Sequence, residues 1–176
     1  MIEQKIKGAI RDVPDFPKPG ILFKDITPIL KDPALCGEIV DAFANRFAQT
    51  RIDGIAGVES RGFLFGLMLA AKLGVPFLPV RKAGKLPFKT LRHDYDLEYG
   101  SATLELHTDA FAPGQHILIH DDLLATGGTV AAASALVRKL GGEIAGYAFL
   151  VTLEALGGSK PLQAYSSNLH SLVTFP

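Results

Sequence analysis

Apolar residues return along this chain in two rhythms, and each rhythm predicts a kind of element. Leu35, Ile39, Phe43 and Phe47 recur every four residues, the stripe of a helix. Asp32 suits the N-cap of that helix and Pro33 its first turn. The run IDGIAGVES predicts a short strand ending in polar residues. RGFLFGLMLAAKLG predicts a buried helix closed by Gly74, and VPFLPVRK a further strand. Together they make a βαβ unit with a right-handed crossover. SATLELH alternates Ala102, Leu104 and Leu106 with Thr103, Glu105 and His107, which predicts a half-buried strand. HILIHDD predicts another strand. TVAAASALVRKLGG predicts a helix with Val130, Ala133, Val137 and Leu140 on one face and Gly141 at its end. EIAGYAFLVTLEAL adds a strand after it. Alternating strands and helices predict an α/β fold: a mainly parallel twisted sheet flanked by helices, in one domain over residues 1–176.

Two segments break the rhythm. DVPDFPKPGILFKDITPIL carries Pro14, Pro17, Pro19 and Pro28, a density that excludes a regular helix. Phe16, Ile21, Leu22, Phe23 and Ile26 make it too apolar for a solvated loop, so something must cover it. The other segment is RKAGKLPFKTLRHDYDLEYG, residues 81–100, basic at its front and acidic at its back. It predicts a long loop or loose hairpin, and long loops in compact domains often serve as lids.

Composition removes several classes. Hydrophobic residues make up 48% and charged ones 20%, so the chain has the means to build a core. Eighteen basic residues balance eighteen acidic ones. A broad grip on nucleic acid is therefore not expected, although a local basic site for a small anion is compatible. Cys36 is the only cysteine, which excludes an internal disulfide and a multi-cysteine metal site and suits a reducing cytoplasm. MIEQKIKGAI lacks the apolar stretch of a signal peptide. GFLFGLMLAA is about half the length a bilayer requires, so no membrane partner is expected.

The candidate chemistry lies in ILIHDDLLATGGTVAAA, residues 117–133. In open α/β sheets ligands bind beyond the carboxyl ends of strands, and HDDLLATGGT stands at such an end. The turn Ala125, Thr126, Gly127, Gly128, Thr129 opens a helix, where backbone amides lack intrahelical partners. Glycines allow close approach, the helix dipole adds partial positive charge, and two threonines add hydroxyl donors: a phosphate cradle. Neither GxxxxGK[ST] nor GxGxxG is present. Asp121 and Asp122 just upstream suit the adjacent hydroxyls of a ribose, and would favour positive charge developing on the sugar. A solvated strand end is the plainer reading of the pair, but it leaves their place before a phosphate-type turn unexplained.

DDLLATGGT resembles the phosphoribosyl pyrophosphate motif of type I phosphoribosyltransferases. DFPKPGILFKDITPIL, ESRGFLFG, RKAGKLP and DYDLEYG occur in the order found in the branch that uses adenine. The resemblance implies the type I phosphoribosyltransferase fold with a small N-terminal hood over about residues 1–31 and a flexible lid over about 81–100. It implies transfer of the phosphoribosyl group to adenine, giving AMP and pyrophosphate, by a cytoplasmic homodimer in purine salvage. Magnesium would be carried mainly on substrate oxygens and water. Arg61 would meet the leaving pyrophosphate, on a loop often preceded by a cis peptide, here Glu59–Ser60. Arg81, Lys82 and Lys85 lie near or on the lid and would add positive charge; a solvated basic face is their other reading. Glu98 would be the acid/base acting at a ring nitrogen, with Tyr99 helping to shield the site. Leu22 and Lys24 would offer backbone hydrogen bonds to the adenine edge while Phe23 packs on the ring. His120 stands where an aliphatic residue is usual, and it receives no role. A different purine base, or a non-catalytic regulator that binds the same ligand, are the alternatives.

Overall fold

The computed structural model describes residues 1–97 and 100–176. The chain opens with helix α1 (Ile2–Ala9), which no motif had marked. An antiparallel ribbon follows, β1 (Arg11–Pro14) against β2 (Leu22–Asp25), joined through the proline-rich turn with a cis Phe16–Pro17 bond. The prolines thus exclude a helix but leave room for a small hairpin hood. A 3-10 turn, Thr27–Lys31, leads to α2 (Pro33–Arg46), whose N-cap Asp32 accepts the Leu35 amide at 3.0 Å.

The main sheet grows from β3 (Gly54–Val58), crosses through α3 (Gly62–Leu73) and returns as β4 (Phe77–Lys82). Gly74 closes α3 in the left-handed conformation, φ 67°. β5 (Thr90–Asp96) and β6 (Ser101–His107) form an antiparallel hairpin at one edge, so of the two readings of residues 81–100 the hairpin holds, with β5 as its first strand. β7 (His116–Leu124), α4 (Gly128–Lys139), β8 (Glu143–Leu153) and β9 (Leu169–Phe175) complete the fold. The sheet order is β5-β6-β4-β3-β7-β8-β9, parallel from β4 through β9. No motif in the sequence marks the last strand.

Two apolar layers sandwich the sheet. On one face Ile39, Phe43, Phe65 and Leu69 from α2 and α3 pack on Leu118 and Leu150. On the other, Val130, Ala133, Leu136 and Val137 from α4 pack on Ile119 and Phe149. Strand alternation explains the split, since Leu118 and Ile119 point to opposite faces. Ser134 and Tyr147, buried in the second layer, satisfy each other at 2.8 Å.

β6 departs from the expected pattern. Glu105, assigned to the polar face, is fully buried between Leu104 and Leu106. The turn after β4 covers it: the Lys85 and Leu86 amides donate to its Oε1 at 2.9 and 2.7 Å, and Arg92 reaches Oε2 at 3.2 Å. Burial alone pushes this carboxyl up, but the amides and Arg92 outweigh it and hold it below its ordinary value. Periodicity read a solvent face because it could not see the turn folding back. Glu105→Leu keeps the volume and orphans both amides, so it should cost roughly 2–5 kcal/mol in denaturant unfolding. A loss under about 0.5 kcal/mol would show that water replaces the carboxylate freely.

Candidate active site

The pairing of β3 with β7 locates the site. From β3 the chain passes through α3 on one face and goes to β4; from β7 it passes through α4 on the other face and goes to β8. Connections that diverge from adjacent parallel strands open a crevice beyond their carboxyl ends. Residues 59–61 and 125–127, the two connections, both lie there.

Helix α3 starts close against β7 because Gly62 has no side chain. A Cβ at Gly62 would lie 2.9 Å from the His120 carbonyl oxygen and 3.0 Å from Asp121 Oδ1. Sequence inspection missed that glycine; the adjoining Glu59–Ser60 peptide is cis. Arg61 then reaches across the crevice, and its Nε donates to Asp122 Oδ2 at 2.6 Å. The Asp122 side chain is nearly buried, 5% exposed, so its charge needs this partner. Asp121 Oδ1 accepts the Asp122 amide at 2.8 Å. Removal from water pushes the Asp121 carboxyl well above the usual range, the neighbouring Asp122 charge pushes it further, and Arg61 opposes both.

A cleft of about 530 Å³ lies between these connections, lined by Arg61, Lys82, Tyr95, Asp121, Asp122 and Thr129 among others. Tyr95 was not singled out in the sequence. Pairing of β5 with β6 brings it inward, where its hydroxyl stands 3.4 Å from Thr129 Oγ1. α4 begins at Gly128 with no side-chain cap, and Gly127 before it has φ 83°, a conformation that favours glycine. The first-turn amides of α4 are therefore left to a ligand or water. Thr126 is exposed at the mouth of this turn, while Ala125 and Gly128 are half-buried.

The other basic residues divide. Arg81 is paired with Glu59 at 3.2 Å, and the Lys82 amide donates to the same carboxylate at 2.9 Å. Burial pushes Glu59 up, but the Lys82 amide and Arg81 outweigh it and leave it below its ordinary value. Arg81 and Lys85 are not among the residues lining the cleft. A second hollow of about 370 Å³ lies under the hood, lined by Val13, Phe16, Phe23, Asp25, Thr27 and Arg61. Phe16 and Phe23 meet edge to face at 5.1 Å, and the Arg61 guanidinium lies 5.3 Å from the Phe23 ring centre. Arg61 thus borders both hollows. Leu22 and Lys24 flank Phe23 on the same strand; the Lys24 ammonium is held by Asp12 at 2.7 Å and lies over Phe175. Glu98 and Tyr99 lie outside the described residues.

His120 precedes the acid pair on β7, pointing to the face opposite Asp121, and is fully buried and edge-on to Phe43 at 5.4 Å. Neither ring nitrogen has a hydrogen-bond partner among the described residues. Burial pulls its pKa down to about 4, with the Asp122 charge opposing. The ring is therefore neutral packing.

A family model described as the phosphoribosyl transferase domain matches residues 25–175. The chain belongs to that family. It is 50% identical over 175 residues to the adenine phosphoribosyltransferase of Cytophaga hutchinsonii, covering 99% of this chain and 97% of the relative. The crystal structure of the adenine phosphoribosyltransferase from Thermoanaerobacter pseudethanolicus superposes with a TM-score of 0.95 at 49% identity, covering 99% of this chain and 100% of that one. The Saccharomyces cerevisiae adenine phosphoribosyltransferase, solved with D-2,5-dideoxy-2,5-imino-altritol 1,6-bisphosphate and adenine, superposes with a TM-score of 0.91 at 42% identity, covering 97% and 98%.

The buried imidazole has a measurable consequence. Its folded pKa of about 4 lies below the ordinary 6.5, so unfolding takes up a proton between these values. Stability should fall as the pH drops through that window. His120→Leu should lose fewer degrees of Tm than the wild type between about pH 7 and pH 5. Equal losses would mean that the ring is already solvated.

Proposed function

We propose that this chain transfers the phosphoribosyl group of phosphoribosyl pyrophosphate to adenine, releasing AMP and pyrophosphate, and so serves purine salvage. The observation that carries this reading is the meeting of the acid pair, Arg61 and Thr129 of the first turn of α4 at one crevice, beside an apolar hollow that shares Arg61. In this reading the amides of residues 126–129 hold the 5-phosphate. Asp121 and Asp122 accept hydrogen bonds from the ribose hydroxyls and favour the positive charge that grows on the sugar as its bond to pyrophosphate breaks. That bond's electron pair leaves with pyrophosphate, drawn by Arg61 and Lys82, with Arg81 and Lys85 adding to the local positive field. A purine nitrogen forms the new bond to the same carbon and gives up its proton to Glu98.

Phe23 packs on the base, and Leu22 and Lys24 present backbone groups to its edge. These two lie two residues apart on one strand, so their backbone groups face the same way. Binding the sugar requires Arg61 to give up part of its hold on Asp122, which couples entry of the ligand to release of the arginine. No group of three or more metal-ligating side chains occurs among the described residues. The carboxylates lining the cleft are Glu59, Asp121 and Asp122, of which Glu59 is held by Arg81 and Asp122 by Arg61. That set fits a magnesium ion carried on substrate oxygens and water, where it would neutralise pyrophosphate charge.

A second copy of the chain is the partner assigned to the outer face of α3. Leu64, Leu67 and Met68 are exposed there in a row that intramolecular packing leaves bare. No helix among the described residues is long and apolar enough to cross a membrane. The lone buried Cys36 suits the reducing cytoplasm we assign.

Mixing the protein with adenine, magnesium and labelled phosphoribosyl pyrophosphate should yield labelled AMP. Glu98→Gln should lower kcat on the order of a hundredfold or more while leaving ligand Kd nearly unchanged. Ligand binding without any AMP would point instead to a regulator. Equal turnover in the variant would remove Glu98 from the chemistry.

A further inference from the structure

The cradle has a backing that neither its motif nor the acid pair announces. Between β8 and β9 the chain makes two short 3-10 turns, Glu154–Leu156 and Lys160–Leu162, with Gly157, Gly158 and Ser159 between them. This strap lies against the turn that follows β7. A Cβ built on Gly127 would overlap the Gly158 carbonyl oxygen and come within 2.9 Å of Pro161 Cγ. A Cβ built on Gly158 would overlap the Ala125 carbonyl oxygen and come within 2.9 Å of the Ala125 carbonyl carbon. The exclusion is reciprocal: two glycines distant in sequence let two backbones touch.

The two glycines are needed for different reasons. Gly127 has φ 83°, so its backbone alone favours glycine. Gly158 does not lie in the left-handed region, and an alanine there would be strained only by what it meets. What it meets is the cradle. Leu162 is fully buried in the α4 layer, and its carbonyl accepts the Tyr165 amide at 3.0 Å. The Lys160 amide closes onto the Gly157 carbonyl at 3.1 Å. On the other side of the contact, Thr126 is exposed and α4 has no side-chain cap to fix its first turn.

We propose that Gly158 is a positioning residue that sets the placement of residues 125–128 for the 5-phosphate. This rests on the phosphoribosyl reading given above. Any side chain at 158 presses on the Ala125 carbonyl, and residues 125–128 shift with it. The amides then point off the phosphate, while the acid pair and the hood keep their places. The effect falls on one part of one ligand.

Gly158→Ala should raise KM for phosphoribosyl pyrophosphate and the calorimetric Kd of ribose 5-phosphate about tenfold, with kcat and the KM for adenine within about twofold. A purely structural role would lower Tm and the fraction of active enzyme without moving KM, and that result would overturn the proposal. Thr126→Ala serves as the reference, since it removes a donor from the cradle itself. If it weakens ribose 5-phosphate and Gly158→Ala does not, the positioning role is wrong and the cradle stands. If neither variant weakens it, the cradle reading falls, and the positioning role with it. Should Gly158→Ala fail to fold, Pro161→Ala removes ring atoms that back Gly127. It should raise the same Kd about two- to threefold, and an unchanged value would overturn the proposal.

Discussion

The adjacency of β3 and β7 is the constraint from which the rest of this structure follows. Two parallel strands lie side by side, and the chain leaves them in opposite directions over opposite faces of the sheet. Among the described residues the two connections diverge beyond their ends and leave a cleft there. Close packing then becomes a problem of backbones. Gly62 lets α3 start against Asp121, and Gly127 lets the cradle lie against the strap. Both glycines stand where the chain would otherwise hold its own site apart.

Charge is handled at the same place. Two neighbouring carboxylates at the end of a buried strand repel each other, and burial raises the cost. The structure meets that cost only in part. Asp122 is paired with Arg61, whereas Asp121 remains with its carboxyl pushed well above the usual range. A carboxyl perturbed in this way, in a cleft and beside a second acid, marks a candidate functional position. His120, one residue earlier on the same strand, shows the contrast. Its ring turns into the apolar layer and gives up its charge, leaving the site to its neighbours.

Much of this architecture could be read from the sequence, for definable reasons. The helices α2 and α4 carry an apolar face and α3 a continuous apolar run, with end signals at Asp32, Gly74 and Gly141. The cradle and the acid pair are contiguous, so their chemistry shows in one short run. What stayed hidden depends on contacts between distant segments. Glu105 reads as a surface residue because only the turn at 84–86 buries it. Tyr95 gains its place from strand pairing, not from its neighbours in sequence. β9 and the strap follow β8 without a motif, although the strap touches the cradle directly. Arg81 and Lys85 look equivalent to Lys82 in a basic run, yet only Lys82 lines the cleft.

The most direct measurement is a crystal structure of the protein with AMP bound. The account requires the phosphate on the amides of residues 126–129, the ribose hydroxyls on Asp121 and Asp122, and the purine under the hood against Phe23. Nucleotide bound elsewhere, with the turn after β7 filled only by water, would contradict it.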